Sequence, residues 1–75
     1  LSVYNFTRVS MTKTAKVELK LWSEPSGDEN KVVKKVAKDT SVTIVAQGKG
    51  TNGRDDYYIV EVEGTYYFAL QSAFN

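Results

Sequence analysis

Residues 57–70 read Tyr-Tyr-Ile-Val-Glu-Val-Glu-Gly-Thr-Tyr-Tyr-Phe-Ala-Leu, and this stretch decides the fold. Tyr58, Val60 and Val62 alternate with Ile59, Glu61 and Glu63, the period of a strand with one buried face. Glu63-Gly64 then makes a tight turn, and residues 65–70 return as a second strand. Upstream, Val42, Ile44 and Ala46 share one face, with Thr43, Val45 and Gln47 on the other. Val17, Leu19 and Leu21 alternate in the same way with Glu18 and Lys20. Tyrosine, valine, threonine and phenylalanine all favour strands. Proline and glycine mark residues 23–28 as a loop, and a glycine-rich loop covers residues 48–53. Lys38-Asp39-Thr40 is a further turn, since aspartate tolerates left-handed backbone better than most residues. Residues 31–38 carry Val32, Val33, Val36 and Ala37 at helical spacing. The run is short and valine-rich, so it reads as a strand, with a short amphipathic helix as the alternative. Residues 3–10 read as one more strand, at an edge or extending the sheet. The expectation is an all-β chain of five to six short antiparallel strands in a small barrel.

The chain has 75 residues, so it makes one domain with one modest core. It begins at Leu1 rather than at a methionine, which reads as a piece cut from a longer protein. Apolar residues make up 41% and charged residues 25%, the balance of a globular domain. A net charge of +1 gives no strong field toward nucleic acid or an anionic membrane. No apolar run is long enough to span a membrane, and no signal peptide is visible. With neither cysteine nor histidine, disulfides and thiolate metal sites are excluded, and only a hard cation on oxygen ligands is left. The absence of cysteine fits a disulfide-free protein outside a Gram-positive cell, and a cytosolic one nearly as well.

Leu19-Lys20-Leu21-Trp22 and Ser23-Glu24-Pro25-Ser26 open an ordered series of features. Val32-Val33, Ala37-Lys38-Asp39-Thr40, Val42-Thr43-Ile44-Val45 and Tyr57-Tyr58-Ile59-Val60 continue it. Residues 64–69 and Gln71-Ser72-Ala73-Phe74 close it. From residue 17 to residue 74 this order resembles the bacterial SH3-like domain family, with residues 1–16 as an N-terminal strand or extension. The family has Leu-Asn-Val-Arg, Ser-Gly-Pro-Ser, Lys-Lys-Gly-Thr, Val-Thr-Val, Trp-Tyr-Lys-Val, Gly-Trp-Val and Ser-Ser-Tyr-Leu at these places. Tyr57 and Phe68 replace its two signature tryptophans, Tyr67 replaces the glycine before the second, and the loop at residues 48–56 is longer. The resemblance implies an SH3-like barrel with a 3-10 turn near the C-terminus. It also implies a module appended to wall hydrolases that tethers them to peptidoglycan, outside the cell. Eukaryotic SH3 domains fit less well, because their groove tyrosine falls at Ala73.

Several motifs carry less than their letters suggest. Residues 48–53 match the dinucleotide fingerprint, but they lead into a strand where that fingerprint needs a helix. Asp55-Asp56 and Asp28-Glu29 are neighbours that point to opposite faces, so neither is an acid–base couple. Glu61 and Glu63 share a face and read as hydrated surface. Lys31, Lys34, Lys35 and Lys38 read as a solvated face that also protects an edge strand. Asn5-Phe6-Thr7 is a glycosylation sequon, idle in a bacterial domain. No cofactor or enzyme motif is present: the commonest general base and the best nucleophile are both missing.

The aromatic residues say most. Tyr58, Phe68 and Phe74 fall at core positions, whereas alternation places Trp22, Tyr57 and Tyr67 away from them. Those three either line an exposed cleft or cap the barrel and pack on residues 1–10. Three functions follow. The first is a wall- or peptide-binding module in which Trp22, Tyr57 and Tyr67 make contact and Glu61 or Asp56 meets an amine of the wall peptide. Weak affinity suffices for such tethering. The second is a structural domain that packs against another domain of its parent. The third, disfavoured by the small net charge, is a nucleic-acid-binding barrel.

Overall fold

The computed structural model describes residues 5–26, 28–49 and 56–74. Six strands form: β1 (Asn5–Thr14), β2 (Leu19–Leu21), β3 (Lys34–Val36), β4 (Ser41–Lys49), β5 (Asp56–Val62) and β6 (Thr65–Leu70). Two 3-10 turns, Glu29–Lys31 and Gln71–Ala73, are the only helical elements among the described residues. This is the small antiparallel all-β fold that the alternation predicts, with the 3-10 turn expected near the C-terminus.

The strands make a four-stranded sheet in the order β1-β4-β5-β6 and a two-stranded ribbon, β2-β3. The ribbon joins the sheet where Trp22 and Phe68 exchange main-chain hydrogen bonds, Trp22 N–H to Phe68 O at 2.9 Å and the reverse at 2.8 Å. At the other end, Ala15 bridges Phe74 and the Lys16 N–H donates to Ala73 O at 2.9 Å. These ties curl the sheet around a core of Leu19, Leu21, Ile44, Tyr58, Val60 and Phe74, with Ala15, Val42 and Ala69 between them. The Tyr58 and Phe74 rings meet edge to face at 5.4 Å.

The turns behave as their residues dictate. Asp39 sits at φ 71, and Glu63 and Gly64 at φ 52 and φ 82, the paired positive angles of a type I′ hairpin turn. The segment at residues 31–38 resolves in favour of the strand, since Lys34–Val36 pairs with β2. Val33 stands outside it, 56% exposed. The strand expected at residues 3–10 is present from Asn5 and runs on to Thr14; residues 1–4 lie outside those described. A bulge between Arg8 and Met11 interrupts its alternation, so its second half carries no period that continues from the first. Val17, expected inside β2, is 48% exposed and precedes that strand. Of the glycine-rich loop, Gly48 and Lys49 belong to β4, and the remainder lies outside the described residues.

A second bulge, between Ile44 and Ala46, matters more. Ile44 stands opposite Val60, but Ala46 stands opposite Ile59. Val60 and Ile59 point to opposite faces of β5, so β4 changes face at the bulge while its buried alternation continues unbroken. Ile44 is 0% and Ala46 7% exposed. At this end the sheet is therefore covered on both faces, and Tyr57 and Tyr58 are both buried.

Candidate functional site

The cleft of Trp22, Tyr57 and Tyr67 does not form. Trp22 is only 2% exposed, and its indole N–H donates to Asp28 O at 2.8 Å. The main-chain bridge to Phe68 draws it into the junction between ribbon and sheet. Asp28 is held in turn, because its carboxylate accepts from Asn30 N–H at 2.9 Å and caps the first 3-10 turn. Tyr57 is fully buried on the face that the β4 bulge covers, and its carbonyl accepts from the Gln71 side-chain amide at 3.0 Å. Tyr67 lies opposite Val60 and packs half-buried against the core. The ring that does face solvent is its neighbour Tyr66, 61% exposed.

The two carboxylates separate as well. Asp56 opens β5 and pairs with Lys49 at 2.7 Å, with both side chains more than half exposed. Glu61 is half-buried, between Thr43 on β4 and Tyr66 on β6. Five positions apart on a strand, Asp56 and Glu61 point to opposite faces. The lysines behave as a solvated face: Lys31 lies 3.8 Å from Glu24 and Lys34 lies 3.7 Å from Glu63, in pairs that water screens.

A groove of about 440 Å³ lies beside Glu61. Three runs of chain line it: Lys34, Lys35 and Val36 of β3, Thr40 with the first three residues of β4, and the last two residues of β5 with Glu63 of the turn. Its position follows from the ladders. β4 and β5 are paired up to Thr43 and Glu61 and no further. Beyond that point β4 stays with β1, through Lys13–Val42 and Thr14–Ser41, while β5 stays with β6, through Val62–Thr65. The two strands splay, and β3 lies across the opening. Val36, Val42 and Val62 give the groove apolar surface, Lys34 stands on one wall, and Glu61 and Glu63 stand on the other. The Glu61 carboxylate takes part in no ion pair or hydrogen bond among the described residues, whereas Glu63 meets Lys34. Tyr66, directly opposite Glu61, extends this surface with an exposed ring.

Glu61 is the one expected site residue that the groove takes up. Lys34, read from the sequence as part of a solvated basic face, and Tyr66 join it there, neither being an expected contact residue. A smaller pocket of about 170 Å³ has Trp22 in its wall and Val17 at its rim. Among the described residues no three acidic side chains come together to hold a metal ion, and no helix is long and apolar enough to cross a membrane. No family model, no curated protein and no solved structure matches this chain.

Proposed function

We propose that the chain is a non-catalytic binding module of the bacterial SH3-like kind, which takes a peptide of the cell wall into the groove between β3 and the splayed ends of β4 and β5. Tethering a neighbouring domain to peptidoglycan is then its task, and its place is outside the cell. The observation that carries this reading is the groove itself: apolar at its valines, cationic at Lys34 and anionic at Glu61, with an unpaired carboxylate and an exposed tyrosine ring at one edge. A peptide offers matching chemistry, with amide groups, small apolar side chains and charges of both signs. The lack of histidine and cysteine in the chain supports binding over catalysis.

The test is sedimentation of the domain with washed peptidoglycan from several bacteria, comparing wild type with Glu61→Gln and Tyr66→Ala. Wild-type binding that falls severalfold in both variants supports the reading. A domain that stays in solution with every wall overturns it. A second reading, a structural domain docked on a neighbour, draws on Val17 and Val33, which are 48% and 56% exposed. It predicts that Val17→Ser weakens association with the parent protein's other domains and leaves wall sedimentation unchanged.

A further inference from the structure

We infer that the groove receives its peptide as an added β-strand about three residues long, held by main-chain hydrogen bonds rather than by recognition of particular side chains. This rests on the peptide-binding reading above and specifies how that site works.

The argument starts from how the lining residues are spaced. A strand that presents a face to a cavity lines it with every second residue. Here the lining runs are consecutive: residues 34–36, 40–43 and 61–63. Consecutive lining is the pattern of a groove bounded by strand edges, along which alternate residues turn N–H and C=O groups outward. Each bordering strand is already paired on its far side. β3 pairs with β2, Val42 with Lys13 of β1, and Val62 with Thr65 of β6. On the groove side the β4–β5 ladder has ended at Thr43 and Glu61, and among the described strands β3 has no second neighbour. Among the described residues the seam thus has strand edges on both banks and no strand between them.

Unpaired strand edges are templates for another extended chain. An inserted strand would complete the connection between ribbon and sheet, with β3 on one side and the ends of β4 and β5 on the other. β3 is three residues long, and at roughly 3.3 Å per residue it matches an extended stretch of about 10 Å. Alternate side chains of the guest would turn toward Val36, Val42 and Val62 and the others toward solvent, so the inward positions require small side chains. The outward positions are free. The partner is therefore an extended peptide segment with small side chains, read through its backbone.

The experiment is a titration of the isotope-labelled chain, followed by amide NMR, with three probes: trialanine, triserine, and trialanine methylated on its central amide nitrogen. Wall sedimentation is measured in parallel. Trialanine and triserine should bind within about threefold of each other and shift the Val36, Val42 and Val62 amides. The methylated probe should bind about tenfold more weakly, the scale of one strong main-chain hydrogen bond. Equal binding by the methylated probe, loss of binding by triserine, or shifts that avoid these amides would overturn strand addition. A domain that sediments with walls but shows no penalty for methylation keeps the wall-binding reading and loses this one. A penalty for methylation without sedimentation does the reverse.

Discussion

Trp22→Ala should act on folding before it acts on any ligand. The indole is 2% exposed and donates to Asp28 O at 2.8 Å, so truncation empties the junction between ribbon and sheet and removes a tie to the loop. Buried tryptophan-to-alanine changes cost about 3–5 kcal/mol. A domain of 75 residues has roughly 4–11 kcal/mol in total, at about 0.05–0.15 kcal/mol per residue. The variant therefore loses roughly a quarter or more of its stability. With a urea m-value near 1 kcal/mol/M for a chain this small, the midpoint should fall by about 3 M or more. Far-UV circular dichroism is the assay, because the substitution removes the only tryptophan. Trp22→Phe separates the contributions: it keeps most of the packing, loses the N–H donor, and should cost about 1–2 kcal/mol. A Trp22→Ala midpoint within about 0.5 M of wild type would refute the reasoning and return the ring to the surface. Any loss of wall binding by Trp22→Ala has to be compared with its folded fraction, whereas Glu61→Gln and Tyr66→Ala leave the core untouched.

Glu63→Asn should stabilise the domain by about 0.5–1 kcal/mol, because asparagine accepts the left-handed backbone at φ 52 more readily than glutamate. The Lys34 partner, at 3.7 Å from a Glu63 side chain that is 83% exposed, offsets little of this; a higher urea midpoint is the check. Gly64→Ala should cost about 1 kcal/mol by the same measurement, since φ 82 strains any L side chain although no atom lies within 4 Å of the added Cβ. Asp39→Val should cost about 1–2 kcal/mol, as φ 71 suits a β-branched residue poorly. The Asp39 N–H also bonds Ala15 O at 2.8 Å, so exchange of that amide should quicken in the variant.

How far the sequence discloses this fold depends on which interaction sets each feature. One-sided burial acts on alternate side chains, so Tyr58, Val60, Val42 and Ile44 announce their strands and their shared core. The steric demand for positive φ acts on single residues, so Glu63-Gly64 and Asp39 announce their turns. Neither signal reports a change of face. Val42, Ile44 and Ala46 look like one unbroken run, yet the bulge at Val45 sends Ala46 to the other side of the sheet, and the alternation survives only because both sides are buried there. Tyr57 is buried for that reason, and no local pattern could place it. Trp22 follows Leu21 in consecutive burial because the chain leaves β2 and bridges β6, a long-range event. The groove has no residue signature at all. It exists where the β4–β5 ladder stops, a consequence of strand lengths and twist.

The loss of the aromatic cleft and the presence of the groove have one physical origin. A domain of this size buries only about 60% of the surface its unfolded chain exposes, so its few large rings are needed inside. Trp22, Tyr57, Tyr58 and Phe74 are all at or below 7% exposure, and Phe6 and Phe68 meet edge to face at 5.5 Å. Only Tyr66 among the described rings is largely free for a ligand. The same economy of length leaves β2 and β3 at three residues each, too short to close the barrel along its seam. Among the described residues, side-chain recognition is thereby limited to a single exposed ring and a few charges, while the β4–β5 ladder stops at Thr43 and Glu61. A ligand that brings its own backbone hydrogen bonds suits a groove beside that ladder end, and a rigid, flat ligand that relies on stacking finds one largely exposed tyrosine among the described rings.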